Sequence, residues 1–225
     1  MRILFVAATS FEVEKLISDF GFRISDSGKG VYHSPLTTHY SLLITGVGMV
    51  ATAYALGREL ATNPYDMAIN LGIAGSFDRD IALGDLVEIT EDAIAELGAE
   101  DDETFLPISQ MGFGESTFKA TENLANLFNN PSLYNLRQAA AITVNTVHGN
   151  EGSIQKIQTR LTPQTESMEG AAFFYACKEA GVPCLQIRAV SNYVEKRNRD
   201  AWQIGLAVKN LNTFAVGLLK RLKML

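Results

Sequence analysis

The chain has 225 residues, 47% hydrophobic and 20% charged, a balance that suits one well-packed domain over residues 1–225. A net charge of −6 and a pI of about 5.1 argue against bulk nucleic-acid binding, which calls for a basic surface, and fit a small polar ligand. No apolar run approaches the ~20 residues of a membrane span, and residues 1–8 are too short and too lightly charged for a secretory leader, so a cytoplasmic protein with no membrane partner is expected.

Residues 3–8 form a near-continuous apolar run and predict a buried strand. Ser10 is placed to cap a following helix with Val13, Leu16, Ile17 and Phe20 inward and Gly21 as its stop. Strands are expected over 31–34 and 40–45, joined by a turn at 35–38. Gly46-Val47-Gly48 ends the second, and a helix rich in Ala and Leu follows to about Leu60. Residues 67–71 predict another buried strand, closed by a small-residue loop over 72–76, and 85–90 predict a further strand. The acidic stretch 91–116 carries Gly and Pro and reads as a long irregular excursion. A helix at 124–128, a strand at 139–144, a helix at 170–181 and a strand at 184–190 follow. In the last helix Ala207, Leu211, Phe214, Leu218 and Leu222 share one stripe. Cys177 and Cys184 lie in apolar surroundings and read as reduced packing residues, with no disulfide framework or zinc site suggested. Buried strands alternating with helices predict the α/β class: a three-layer α/β/α domain around a mixed, mainly parallel sheet.

In such sheets ligands bind beyond the carboxyl ends of the strands, where this chain repeatedly places glycines and polar residues. Gly46-Val47-Gly48-Met49-Val50-Ala51 matches the dinucleotide pattern G-x-G-x-x-A, which also needs an acidic residue at the end of the next strand to hold a ribose. Asp66 precedes that strand and Asn70 and Gly72 occupy its end, so a tight turn with close backbone approach is preferred, and no cofactor is implied. The 72–76 loop can turn its N–H groups to an anion or a sugar hydroxyl, or simply turn. Glu12, in a first helical turn, is either a solvated carboxylate favoured by the helix dipole or a site residue. Glu169, between Met168 and Gly170-Ala171-Ala172, is either a ligand holder or a helix cap. Asn145 and Asn192 stand at strand exits, where Asn is also a common turn residue. Tyr193, Phe77, Phe113 and Trp202 can stack on a ring or pack. Of the three histidines, His148 alone lies near a predicted strand exit. Arg197 and Arg199 fit a solvated surface or the grip on a substrate carboxylate.

Five blocks in order resemble the nucleoside phosphorylase/nucleosidase family: Ala7-Ala8-Thr9-Ser10-Phe11-Glu12-Val13-Glu14, Thr45-Gly46-Val47-Gly48-Met49-Val50-Ala51, Asn70-Leu71-Gly72-Ile73-Ala74-Gly75-Ser76, Ser167-Met168-Glu169-Gly170-Ala171-Ala172, and Arg188-Ala189-Val190-Ser191-Asn192. The resemblance spans nearly the whole chain. It implies the family's fold, a homodimer or higher homo-oligomer, and cleavage of the bond between base and sugar in a small nucleoside. Within the family, Ser191-Asn192-Tyr193-Val194-Glu195 and Arg199-Asp200-Ala201-Trp202 are similar to a subgroup that releases hypoxanthine from a nucleoside whose sugar carries a carboxyphenyl-ketone extension. The adenine-releasing methylthioadenosine/adenosylhomocysteine nucleosidases have Asp at Asn192, a G-S-A-G-G loop at 72–76 and Glu at Ser167.

The resemblance assigns roles that the chemistry can use. Breaking an N-glycosidic bond builds positive charge on the ribosyl ring and negative charge on the base. Glu12 takes the proton of the attacking water. Glu169 accepts bonds from ribose hydroxyls and Met168 lines the ribose, while Gly46, Ile73 and Gly75 bring backbone close to the substrate and Asn145 contributes from its strand exit. Asn192 faces N7 and O6 of a 6-oxopurine, to which its NH₂ group can donate. The first block offers Glu12 where a phosphorylase needs a phosphate-binding Arg, and Arg58 and Arg79 fit surface positions, so hydrolysis is favoured over phosphorolysis. The alternatives are the adenine-releasing nucleosidase, a purine nucleoside phosphorylase, and a non-catalytic nucleoside-binding protein on the same scaffold.

Overall fold

The computed structural model describes residues 1–24, 30–33, 39–128 and 135–222. The first strand, β1 (Ile3–Ala7), is buried along its whole length, and its side chains alternate between two cores. Ile3, Phe5 and Ala7 enter one, with Leu16 and Phe20 of α1 (Glu14–Phe20) and the stripe Ala207, Leu211, Phe214, Leu218 and Leu222 of α6 (Ile204–Leu222). Leu4 and Val6 enter the other, with Ala55 and Leu56 of α2 (Met49–Thr62) and Phe173, Phe174 and Cys177 of α5 (Gly170–Ala180). One face of the sheet thus packs on α1 and α6 and the other on α2 and α5, the three layers that alternating buried strands require.

The remaining elements are β2 (Arg23–Ile24), β3 (Val31–His33), β4 (Tyr40–Ile44), β5 (Met67–Ser76), β6 (Leu86–Ile94), β7 (Gly98–Asp101), β8 (Thr104–Pro107), β9 (Thr117–Lys119), α3 (Leu124–Leu127), β10 (Arg137–Thr143), α4 (Glu151–Leu161), β11 (Thr165–Ser167) and β12 (Cys184–Tyr193). The strand order is β11-β10-β6-β12-β5-β1-β4-β3-β2, with β9 on β6. Pairing is parallel along β4–β1–β5–β12 and along β6–β10–β11, and antiparallel where β12 meets β6 and where β2 and β3 extend the edge. An antiparallel β11–β5 pairing closes β5, β12, β6, β10 and β11 into a ring. Among the described residues no helix is long and apolar enough to cross a membrane.

Several expectations need correction. Residues 72–76 are the end of a ten-residue strand, because β12 pairs with all of them and β11 with Gly75 and Ser76. Residues 91–116 are more regular than their Gly and Pro content suggests: β6 runs to Ile94, and β7 and β8 pair as a hairpin. The cap at the first helix is Thr9, because the backbone starts turning at Ser10 as a 3-10 turn (Ser10–Val13). Strand β12 runs three residues past Val190, with a register shift against β5 between Val190 and Asn192. Periodicity did not reveal β9, α4 or β11, since two are three-residue strands and α4 buries only Ile157 fully. The turn expected at 35–38 lies outside the described residues.

Candidate active site

The Thr9 cap at the head of the 3-10 turn sets where Glu12 can point. Glu12 is turned inward and is only 6% exposed. One carboxylate oxygen accepts from the Thr9 N–H at 2.9 Å and the Thr9 hydroxyl at 3.0 Å, and the other from the Ile73 N–H at 3.2 Å. A carboxylate offers about four acceptor positions, so these donors leave one free for a further partner. Burial pushes the Glu12 carboxyl above its ordinary value. The positive charge of Arg188 and the bonds from Ile73 and Thr9 pull the other way.

Glu169 stands at the start of α5, where the sharp turn after β11 buries it. Its Oε1 accepts from the Gly48 N–H at 3.0 Å, and its Oε2 lies 3.9 Å from Nη1 of Arg188. Gly48 presents that N–H at φ 96°, a conformation that explains the glycine better than any dinucleotide does. Arg188, 1% exposed, is the buried cation that serves both carboxylates. It fits because residue 72 is glycine: a Cβ there would lie 2.0 Å from Arg188 Nη1 and 3.2 Å from Glu12 Oε1. Arg188 Nη2 donates to Gln186 Oε1 at 2.8 Å, and Gln186 Nε2 donates to Asp92 at 3.0 Å. Asp92 also accepts from the Thr143 hydroxyl at 2.8 Å. Burial pushes its carboxyl up to about 6, against those two hydrogen bonds and the Arg188 charge. This buried chain ties the carboxylates to the centre of the sheet.

Glu12 and Glu169 line one cavity of about 370 Å³, in the size range of small-molecule sites. Ile73, Gly75, Met168 and Asn192 line it too. Across the sheet Gly75 pairs with Asn192 on one side and Glu166 on the other, so one level holds Glu166, Gly75 and Asn192. With no side chain at Gly75, Val194 and Asn192 close in on it: a Cβ there would lie 3.0 Å from Val194 Cγ2 and 3.1 Å from Asn192 Nδ2. The Asn192 amide accepts from the Ser191 hydroxyl at 2.9 Å and donates to the Tyr193 carbonyl at 3.0 Å.

Two of the residues named from the sequence stand apart. Gly46 does not line the cavity: it turns the chain at φ 87° with its N–H on the Ala8 carbonyl, while its neighbour Val47 reaches the wall. Asn145 is exposed, and its backbone and side-chain N–H groups both bond Glu96, at 3.3 and 3.1 Å. Among the stacking candidates, Tyr193 and Trp202 line the cavity, Phe77 is buried in the core beside His148, and Phe113 is 76% exposed. Arg197 is on the wall, its guanidinium 5.1 Å from the centre of the Trp202 ring. Arg79 is occupied by Glu195 and the face of Tyr193, and Arg58 lies on α2 against Tyr54.

Sequence reasoning missed Arg188 as a site residue, although it heads the block Arg188-Ala189-Val190-Ser191-Asn192. A lone Arg within an apolar strand was the available signal, since a fully buried charge demands partners. It also missed the pairing of His148 with Glu166. The two are 18 positions apart, and the three-residue strand β11, paired to β10, brings them together.

Residues 2–222 match the family model of the phosphorylase superfamily. The chain is 34% identical to futalosine hydrolase of Streptomyces coelicolor, over 97% of this chain and 95% of that protein. Its fold is shared with 5′-methylthioadenosine/S-adenosylhomocysteine nucleosidase of Helicobacter pylori, with a TM-score of 0.82 and 17% identity over 100% of this chain and 99% of the other. It is shared as well with the native futalosine hydrolase of H. pylori strain 26695, at a TM-score of 0.79 and 19% identity over 100% and 98% of the two chains.

Proposed function

The chain belongs to the phosphorylase superfamily and groups there with the futalosine hydrolases, and from that premise we propose that it hydrolyses the N-glycosidic bond of futalosine. The products are hypoxanthine and dehypoxanthine futalosine, a step of the alternative menaquinone pathway. One observation carries the reading: two buried carboxylates, Glu12 and Glu169, share a buried Arg188 and open on the same cavity.

Glu12 is the general base. Its raised proton affinity makes it a stronger base toward water, and its three hydrogen bonds hold it in place. Glu169, anchored by Gly48 and Arg188, accepts from the ribose hydroxyls and stabilises the cationic ring of the transition state. Met168, Ile73 and the bare backbone of Gly75 shape the wall around sugar and base. Asn192 supports a 6-oxopurine leaving group, because an amide can donate to O6 and N7 where an ionised Asp cannot. Arg197 beside Trp202 suits the carboxyl-bearing aromatic extension. The exposed apolar residues Phe11 and Val47 at the mouth, with Val50 and Tyr54 one and two turns on, support a homo-oligomer.

The test is a panel of hypoxanthine and adenine nucleosides, with and without the sugar extension, incubated with and without phosphate. Free hypoxanthine and free sugar from the extended nucleoside in phosphate-free buffer are expected. A strict phosphate requirement with a sugar 1-phosphate product refutes hydrolysis.

A further inference from the structure

Cleavage has one requirement that Glu12, Glu169 and Asn192 do not meet. A departing purine is a poor leaving group unless a ring nitrogen gains a proton, and the Asn192 amide has none to give. Across Gly75 from Asn192 the sheet carries a titratable pair. His148 and Glu166 both line the cavity, and Glu166 shares a strand level with Gly75 and Asn192. With neighbouring strands about 4.8 Å apart, Glu166 and Asn192 stand about 10 Å from each other on one wall of the cavity, far enough apart to flank a two-ring base.

Glu166 grips His148 twice: Oε1 accepts the His148 N–H at 2.9 Å, and Oε2 bonds the ring Nδ1. The edge of the ring rests on Phe77, with centroids 6.3 Å apart. With Nδ1 engaged, Nε2 is the ring nitrogen left for the cavity, and among the described residues nothing hydrogen-bonds it. A buried carboxylate behind one imidazole nitrogen fixes the ring and balances an imidazolium charge, which is how an orienting acid serves a catalytic histidine.

We infer that His148, oriented by Glu166, is the general acid that protonates the leaving purine. The inference rests on the hydrolase reading. In the step, Nε2–H passes its proton to a ring nitrogen of the base as the C1′–N9 bond breaks with its electron pair moving to the base. The water oxygen bonds C1′ and its proton goes to Glu12. Neutral hypoxanthine leaves, and one proton has moved from His148 to Glu12, to be returned through solvent. His148 is a catalytic residue in this scheme and Glu166 a positioning one. The charged groups around His148 are Glu166 itself, Glu96 behind it, Arg197 beside Gly149, and Glu12, Glu169 and Glu195 on the cavity wall.

The experiment compares futalosine with its N7-methylated form, whose cationic base departs without a proton, across pH and in phosphate-free buffer. In the wild type, kcat on futalosine falls at alkaline pH, and kcat on the methylated nucleoside does not. His148→Gln and Glu166→Gln lower kcat on futalosine by about 10²-fold, the scale of a lost general acid, and largely spare the methylated substrate. The alkaline limb disappears in His148→Gln. Equal losses on both substrates, no loss on either, or a limb that survives His148→Gln overturn the assignment. Should the variants fail to fold, the wild-type profiles decide: the same alkaline limb with both nucleosides overturns it. A wild type that releases base from neither nucleoside refutes the hydrolase reading, whereas intact hydrolysis with parallel profiles refutes the acid alone.

Discussion

Replacing Glu12 by Gln separates catalysis from stability at a single position. Gln keeps the shape but turns one oxygen into a donor. With its NH₂ group toward Ile73, donor meets donor at the 3.2 Å contact; turned the other way, it faces the Thr9 N–H, although the Thr9 hydroxyl can rotate to accept. One unpaired buried donor costs about 1–3 kcal/mol. Against this, Gln removes a buried charge whose desolvation is the largest influence on its proton affinity. The sign of the pH effect follows. Because folding raises the Glu12 pKa above the ordinary 4.5, the stability this group contributes is full below that value and is lost as pH rises through the folded-state pKa. Each tenfold change in proton affinity corresponds to about 1.4 kcal/mol. The variant lacks this loss, so its Tm relative to wild type should climb between acidic and neutral pH, even if it starts lower. Its kcat should fall by about 10²-fold or more while substrate still binds, and the acid limb of the wild-type profile should vanish. Thermal melts across pH and phosphate-free turnover measure both. Near-normal kcat in a folded variant, or a Tm difference that falls with pH, refutes the reasoning.

Two further outcomes rest on neighbouring contacts. Asn192→Asp should erode the preference for hypoxanthine over adenine by roughly one to two orders of magnitude in kcat/KM, since misplaced donors at the base edge cost about 1–3 kcal/mol; paired nucleosides with the same sugar measure it, and an unchanged preference shows that Asn192 does not read the base. Gly170→Ala would set a Cβ 2.0 Å from Asp92 Oδ2 and 2.5 Å from Gln186 Oε1, so a loss of about 1–3 kcal/mol or more is expected in denaturant unfolding, and a neutral substitution would show that the Asp92–Gln186–Arg188 chain is free to move.

Much of the architecture was legible because burial writes itself into composition. The apolar runs of β1, β5 and β12 and the stripe of α6 can be read without coordinates, since a strand buried on both faces and a helix buried on one have different periods. The glycines at 46, 48, 72 and 75 marked the places where backbone comes close. Local pattern could not say that residues 72–76 continue as strand, because what keeps them extended is hydrogen bonding to β12 and β11, segments about 90 to 120 positions away. Nor could it say which polar residues would meet. Glu12 and Glu169 were named one at a time, and their value as a pair comes from Arg188, which reaches them from under Gly72. His148 looked isolated because its partner arrives on a three-residue strand with no periodic signal. Gly46 and Asn145 show the converse: position after a strand marks the right end of the sheet, but whether a side chain faces the cavity depends on the twist of the turn and on which neighbour takes its hydrogen bonds, as Ala8 and Glu96 do here. Sequence alone thus determined the layers, the two cores and the chemical inventory, because those follow from residue type and local period. The tertiary structure decided which members of that inventory are desolvated together, because electrostatic coupling depends on distances that only the closed sheet sets.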